Sequence, residues 1–268
     1  MDKRLDFELV MRGIATGRER AKEYIKAGKV LVNGKSVTKA SATVSDSDDI
    51  TIIGETLKYV GRGGLKLEGA INSFELKFYG LVCCDLGAST GGFTDCMLQN
   101  GANKVFAVDV GHGQLVEKLR EDTRVVNIEG MNVKDLTAEF LGGYVDFVAS
   151  DLSFISCRYA ADAAVRILMD DGFAVILIKP QFEVGKSRLS KTGIVRDKKD
   201  HINCLESLSL YFNSIGLKLK NLTASPIKGG DGNIEYLALL VKSDSFTAKS
   251  FDFKRIVNDS FEKHKEKE

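Results

Sequence analysis

Several things are scarce in this 268-residue sequence, and each scarcity closes off a class of protein. Long apolar runs are missing. Stretches such as Ala174–Ile178 and Tyr236–Val241 hold about half a dozen residues, against the roughly 18 that a membrane-spanning helix needs. The opening MDKRLDFELV alternates charges and has no apolar core, so no signal peptide is expected there. Histidine occurs only at His112, His201 and His264. The five cysteines form no CxxC pair, and adjacent Cys83 and Cys84 would face opposite sides of a strand. They read as reduced thiols of a cytoplasmic protein, not as a disulfide framework or a metal site. Net charge is scarce too, with 38 basic against 37 acidic residues. At 44% hydrophobic and 28% charged, the composition is that of a folded chain with residues to spare for a packed core.

The near-zero total conceals an uneven distribution. Residues 1–66 hold 13 basic and 9 acidic side chains, and the remainder holds 25 and 28. Eight of the basic residues and only two acidic ones fall between Arg12 and Lys39. A basic head on a mildly acidic body suits an anionic partner for the head, although a solvated helix face gives the same count. Pattern adds to charge. Leu5, Leu9 and Val10 have helical spacing, and Arg18–Ala27 reads as a second helix closed by Gly28. Val30–Val32, the Asn33-Gly34 turn and Lys35–Val37 form a hairpin signal, and Ile50–Ile53 adds a strand. The order RLDFELVMRGIATGRERAKEYIKAGKVLVNGK resembles the small S-four RNA-binding module. That resemblance implies that Arg18, Arg20, Lys22 and Lys29 contact RNA phosphates, which docks RNA without reading its sequence.

After SDSDDITIIGETLKYVGRGG the composition changes. The expected organisation is an RNA-binding domain over 1–54, a linker over 55–63, a second domain over 64–243 and a charged tail over 244–268. Leu65–Phe74 reads as a helix. Apolar strands are expected at Leu81–Leu86, Val105–Val110, Val125–Ile128, Val145–Ser150 and Phe173–Ile178. Helices such as Phe93–Asn100, Gly113–Arg120 and Arg158–Met169 lie between them. This alternation predicts an α/β fold, a mostly parallel sheet covered on both faces, with ligands beyond the carboxyl ends of the strands. Late strands at Leu219–Ala224 and Glu235–Val241 complete it.

The loop after the first of these strands, DLGASTGGF, admits three readings. A dinucleotide-binding G-x-G-x-x-G fails, because Ser89 occupies the second glycine position. Gly87-Ala88-Ser89-Thr90-Gly91 matches the G-x-S-x-G nucleophile elbow, which needs a downstream acid and histidine. The third reading is an adenosyl-cofactor loop. Asp85 would end the strand, the glycines would admit the ligand, and Asp109 would hold ribose hydroxyls. Asp85, Asp109 and the glycines together favour this third reading.

The motifs GRGGLKL, DLGASTGGFTD, AVDVGHGQL, SDLSFIS, IKPQFEVGK and SPIKGGDGNIEYL, in this order, resemble the TlyA family. That family joins an S-four domain to an FtsJ-like, Rossmann-like class I methyltransferase domain. The resemblance implies an enzyme that uses S-adenosylmethionine to methylate ribose 2′-hydroxyls of cytidine in ribosomal RNA, with ribosomal RNA or ribosomal subunits as partners. Some members carry a haemolysin label, so a cytolysin and a non-catalytic ribosome-assembly factor stand as alternative readings. The family's Lys-Asp-Lys-Glu tetrad maps to Lys66, Asp151, Lys179 and Glu235. Asp151 and Lys179 end parallel strands, and Glu235 begins a strand that reaches the same edge if it runs antiparallel. A ribose hydroxyl needs its proton removed and its oxygen aligned with the methyl group. Lys179 is the expected base, Lys66 tunes it or positions a phosphate, and the carboxylates orient both. Asp85, Gly87, Ser89, Thr90, Gly91, Gly92, Phe93, Asp109, Asn132 and Asp151 are the expected cofactor contacts, with Asn132 at the adenine end. Phe93 is equally a core position. The stretch Glu183–Arg196 reads either as an RNA-facing loop or as a solvated linker. No metal and no obligate protein partner are expected.

Overall fold

The computed structural model describes residues 3–15, 17–53, 58–243, 245–246 and 249–265. Residues 54–57 of the expected junction, and 244, 247–248 and 266–268 of the expected tail, lie outside the described residues. The chain divides into two compact units, Met1–Gly61 and Arg62–Glu268.

In the first unit, β1 (Lys3–Arg4) leads into α1 (Leu5–Met11) and α2 (Arg18–Lys26). The strands β2 (Val30–Val32), β3 (Lys35–Ser36), β4 (Thr43–Val44) and β5 (Ile50–Ile52) follow. Leu5, Leu9, Ala21, Ile25 and Val30 are fully buried and form its core with Val44. Helix α2 stops where Gly28 turns left-handed (φ +67°), and Lys29 N–H donates back to the Tyr24 carbonyl at 3.0 Å. Asn33 and Gly34 both take positive φ, 50° and 76°. Such a turn matches the twist of an antiparallel pair and sets the β2–β3 register. Strand β5 pairs on the other side of β2, while β1 pairs with β4 apart from them. At two residues each, β1 and β4 are too short to leave an alternating pattern in the sequence.

The second unit begins with α3 (Gly63–Phe74), followed by β6 (Val82–Leu86), α4 (Gly92–Gln99) and β7 (Lys104–Asp109). Then come α5 (Glu117–Arg120), β8 (Val125–Glu129), α6 (Ala138–Leu141), β9 (Val145–Ser150), α7 (Arg158–Ile167) and β10 (Leu168–Ile178). The unit ends with α8 (Lys198–Ser214), β11 (Leu217–Ala224), β12 (Tyr236–Lys242) and α9 (Phe253–Lys265). Seven strands form one sheet in the order β11-β12-β10-β9-β6-β7-β8. β10, β9, β6, β7 and β8 run parallel, and β12 runs antiparallel to both of its neighbours. The chain winds outward in opposite directions from β6 and β9. Their carboxyl ends therefore flank a crevice, where sheets of this kind bind ligands.

Helix packing follows from side-chain size. Helix α7 buries Ala160, Ala161, Ala163, Ala164 and Ile167, and small residues on that face admit close approach to the sheet. On the other side, Gly69 of α3 lies so close to Pro226 that a methyl group there would stand 2.6 Å from the proline ring. That contact holds α3 against the loop preceding β12.

Two stretches differ from expectation, and in a third, the tail, the short helix expected over Phe253–Phe261 runs longer. The helix expected over Gly113–Arg120 is a single turn, α5. Gly113 takes φ +64° and donates to Glu129 Oε2 at 2.8 Å, so the chain before Glu117 is committed to a loop. Helix α7 ends at Ile167, because Leu168 is already extended and enters β10 directly. The charged tail contains α9, whose Val257 and His264 are buried against the second unit. Its packing partners are α8 and β11.

Candidate active site

The carboxyl edge of the sheet gathers four charged side chains from distant parts of the second unit. Asp151 follows β9, Lys179 follows β10, Lys66 lies on the second turn of α3, and Glu235 immediately precedes β12. Tyr236 pairs with Ile178 across the antiparallel ladder, which sets Glu235 beside the strand end carrying Lys179. The side chains form one chain of alternating charge. Glu235 Oε2 is 2.8 Å from Lys66 Nζ, Lys66 Nζ is 3.3 Å from Asp151 Oδ2, and Asp151 Oδ1 is 2.6 Å from Lys179 Nζ. Lys66, Lys179 and Glu235 are buried, and Asp151 retains 20% side-chain exposure.

The two lysines are held differently. Lys66 stands between two carboxylates. Burial pushes its ammonium down, but Asp151 and Glu235 together more than offset this, so its pKa lies above the ordinary lysine value. Lys179 faces one carboxylate and donates to Ser153 Oγ at 2.7 Å. Glu235 also accepts from Gln181 Nε2 at 3.3 Å. Its carboxylate is seated against Gly229, where a methyl group would come within 2.6 Å of Oε1. Ser153 and Gln181 went unremarked in the sequence. Ser153 lies within SDLSFIS, two residues past Asp151, and that proximity is the only signal it left.

Beside Asp151 opens a cavity of about 460 Å³. Of the expected cofactor contacts, Gly87, Ser89, Asp109, Asn132 and Asp151 line it. Asp109 Oδ2 accepts from Ser89 N–H at 2.8 Å and Oδ1 from Gly111 N–H at 2.7 Å. Each oxygen keeps a second lone pair for a hydroxyl. Asp85 is fully buried at the end of β6. Its Oδ2 accepts from Thr94 N–H at 2.9 Å and Thr94 Oγ1 at 2.7 Å, while Oδ1 has no hydrogen-bond partner. Burial raises this carboxyl to about 7 despite the two Thr94 bonds.

Asp85, Thr90, Gly91, Gly92 and Phe93 are not among the residues lining this cavity. A methyl group at Gly91 (φ +97°) would overlap Leu119 and lie 2.8 Å from Leu115 Cδ1, so this glycine admits close packing of α5. Phe93 is buried against α3, its ring 3.4 Å from the Cβ position of Gly63. Phe154 instead stands at the cavity, 87% exposed at φ +67°, its ring 5.4 Å from that of Phe182.

In the first unit, Arg18 is exposed and bonds buried Asp6 at 3.0 Å; Arg4 bonds the same carboxylate at 2.9 Å. Arg20 packs over the Tyr24 ring at 5.0 Å and pairs with Glu23 at 3.3 Å. Lys22 and Lys29 are half-buried. The Glu183–Arg196 stretch is tied at both ends. Glu183 accepts from Ser156 Oγ and Cys157 N–H, each at 2.7 Å, and Val195 N–H donates to Asn233 Oδ1 at 3.0 Å.

A strand order that reverses between β6 and β9, with an antiparallel β12 and an acidic crevice at the switch point, defines a doubly wound α/β domain with a ligand site at that crevice. Comparison with known proteins narrows this. The FtsJ-like methyltransferase family model matches residues 59–242, and the S4 domain model matches residues 3–50. The chain is 42% identical over 238 residues to the 16S/23S rRNA (cytidine-2′-O)-methyltransferase TlyA of Mycobacterium tuberculosis, covering 88% of this chain and 89% of that protein. It is 45% identical over 236 residues to Hemolysin A of Brachyspira hyodysenteriae, covering 88% and 98%. A solved structure of a hemolysin candidate from Streptococcus thermophilus superposes with a TM-score of 0.81 at 41% identity, covering 99% of this chain and 98% of that one. The chain belongs to the TlyA family, an S4 domain joined to an FtsJ-like methyltransferase domain. Among the described residues no helix is long and apolar enough to cross a membrane, and no cluster of His, Cys, Asp or Glu could hold a metal ion.

Proposed function

We propose that this protein transfers the methyl group of S-adenosylmethionine to the ribose 2′-hydroxyl of a cytidine in ribosomal RNA. The observation that carries the reading is the Glu235–Lys66–Asp151–Lys179 chain at the rim of an acidic cavity. A protein that only binds RNA has no use for two buried lysines threaded through two carboxylates. The methyltransferase family and the named activity of the Mycobacterium relative support the choice of reaction and of RNA.

The cavity fits a cationic adenosyl amino acid. Asp109 offers free lone pairs at the end of β7 and Asp151 adds a second acidic group to the lining, while Asp85, outside the lining, holds a buried carboxylate oxygen without a partner. Asn132 serves the adenine end, and Gly87 and Ser89 the approach of the amino-acid part. When bound, S-adenosylmethionine supplies an electrophilic methyl group whose sulfur departs as a neutral thioether. The protein must supply the rest. It excludes water, aligns the ribose oxygen and takes one proton.

Lys179 takes that proton at Nζ. Two carboxylates hold Lys66 as an ammonium, and it serves as a fixed positive charge beside Asp151. Lys179 shares Asp151 with Lys66 and lies next to the cavity wall through Ser153. Gln181 and Glu235 keep Lys66 in place. The exposed ring of Phe154, beside half-buried Phe182, offers a face for a base displaced from its stack. Phosphate contacts from the S4 domain bring the RNA, with Arg18 the most open of the four expected contacts.

The test is transfer of tritiated methyl from S-adenosylmethionine to purified small and large ribosomal subunits. Label should appear in ribosomal RNA at a ribose that resists alkaline cleavage. Absence of label in both subunits, from folded protein that binds the cofactor, would overturn the enzymatic reading. Lys179→Ala should lower transfer by roughly 10²- to 10⁴-fold while cofactor binding persists.

A further inference from the structure

We infer that Ser153 is a positioning residue for the methyl transfer, acting through Lys179 by fixing the direction of its lone pair. The inference rests on Lys179 as the base and concerns a residue outside the four charged groups.

The argument is one of valence. An amine that accepts a proton carries two N–H bonds and one lone pair, and it can rotate about its terminal carbon–carbon bond. To act as a base it must aim the lone pair at the ribose hydroxyl, not at protein. Lys179 Nζ makes two hydrogen bonds, to Ser153 Oγ at 2.7 Å and to the Asp151 carbonyl at 3.5 Å. Asp151 Oδ1 stands 2.6 Å away as an ion-pair partner but accepts no hydrogen bond. Two acceptors for two N–H bonds leave one tetrahedral direction, and the lone pair occupies it. With Asp151 alone, the amine could turn about a single hydrogen bond.

Ser153 is placed for this task. Its hydroxyl belongs to the wall of the cavity, so it lies on the same side of Lys179 as the reacting groups. It follows Asp151 by two residues, so both acceptors sit on one short loop whose start is fixed by the bond from Asp151 N–H to the Leu86 carbonyl, 3.2 Å. Ser153 is itself exposed, which leaves its own proton free to point outward to solvent or RNA. The step balances without further groups. The ribose O–H proton passes to Lys179 Nζ, an oxygen–carbon bond forms, the carbon–sulfur bond breaks, and sulfur keeps the electron pair. Lys179 then carries three N–H bonds, and the third points along the former lone-pair direction at the methylated oxygen.

The experiment compares Ser153→Ala and Ser153→Thr in the full chain, with purified ribosomal subunits and tritiated S-adenosylmethionine. Losing a hydrogen bond to a charged partner corresponds to roughly a ten- to hundredfold change. Ser153→Ala should lower kcat by that factor. KM for ribosomal subunits and affinity for S-adenosylhomocysteine should stay within about twofold, because no binding contact is removed. Ser153→Thr keeps the oxygen at an exposed site with room for a methyl group, and should retain most of kcat. Undiminished kcat in Ser153→Ala would overturn the inference. So would equal losses in Ser153→Ala and Ser153→Thr, or a loss appearing only as weaker cofactor binding. Lys179→Ala is run alongside. If it keeps full activity, the base assignment itself fails, an outcome distinct from failure of Ser153 alone.

Discussion

Asp85 gives the sharpest test of how the cavity is built. Its carboxyl is fully buried, bonded on one oxygen and unpartnered on the other, with a pKa moved from the ordinary 3.8 to about 7 by burial. The consequence for stability has a definite sign. In the unfolded chain Asp85 ionises near pH 4, while in the folded chain it keeps its proton to about 7. Its contribution is therefore fully present below pH 4 and is lost as pH rises toward 7. A shift of this size corresponds to about 4 kcal/mol of lost stability at pH 8, less than half of it gone by pH 5. Asp85→Asn removes the titration. Relative to the natural protein, the variant should gain about 3 kcal/mol between pH 5 and pH 8. Urea unfolding of the larger unit, followed by circular dichroism at the two pH values, measures this. The same variant should bind cofactor roughly ten- to a hundredfold more weakly, since the free oxygen that would meet a cationic group is replaced by an amide. In the natural protein, binding a cation at Asp85 should release a proton, so affinity should rise with pH through about 7. In the variant that rise should vanish. A gap in stability that does not change with pH would refute the argument. Unaltered cofactor affinity would refute the assignment of the free oxygen to the ligand.

Other expectations are simpler. Gly91→Ala forces a left-handed residue into Leu115 and Leu119 and should cost roughly 2–5 kcal/mol, read as a lower urea midpoint. Glu235→Gln leaves Lys66 with a single carboxylate, and transfer activity on ribosomal subunits should fall while RNA binding stays unchanged. In the first unit, Arg4 holds the Asp6 carboxyl well below the usual range against the opposing effect of burial, with help from Arg18. Stability from this group is present above the unfolded value near 4 and is lost as pH falls below it. Asp6→Asn should flatten the acid limb of unfolding and steepen the salt dependence of RNA binding by releasing Arg18. All five cysteines are buried, and burial pushes the thiols of Cys83, Cys84, Cys157 and Cys204 up. A thiol reagent should find almost none of them until denaturant is added.

Much of this arrangement was legible in the sequence because its signals were local. The Val30–Val37 hairpin followed from Asn33-Gly34, and the strands of the sheet from their continuous apolar runs. The position of Glu235 followed from the family resemblance and the antiparallel direction it implies for β12, which returns Glu235 to the edge that Lys179 and Asp151 share. What stayed hidden depended on packing between distant segments. Gly91 lies in a loop with the composition of a ligand cradle, yet it makes room for Leu115 and Leu119, while Phe93, in the first turn of α4, takes the core alternative and fills a gap beside α3. No spacing rule separates the two roles. Arg20 counts as a charge in the sequence, but its guanidinium lies over Tyr24. Ser153 and Thr94 were overlooked because a hydroxyl is common and its partner cannot be read from neighbours. The early end of α7 was hidden in a run that is apolar on either side of the transition to strand.

The alternating chain of Glu235, Lys66, Asp151 and Lys179 also has an arithmetic of charge. With both lysines protonated the four side chains sum to zero. With Lys179 ready to act as a base they carry one net negative charge, the complement of a sulfonium. After transfer the proton on Lys179 returns the set to neutrality, and the donor has become a neutral thioether. The active form of the site is therefore matched to the spent donor less well than to the fresh one, and the spent form has no net attraction for either. The transfer step on this scheme conserves charge within the pocket. Exchange of product for substrate is then driven by the same proton that the reaction moved, once Lys179 gives it up to solvent.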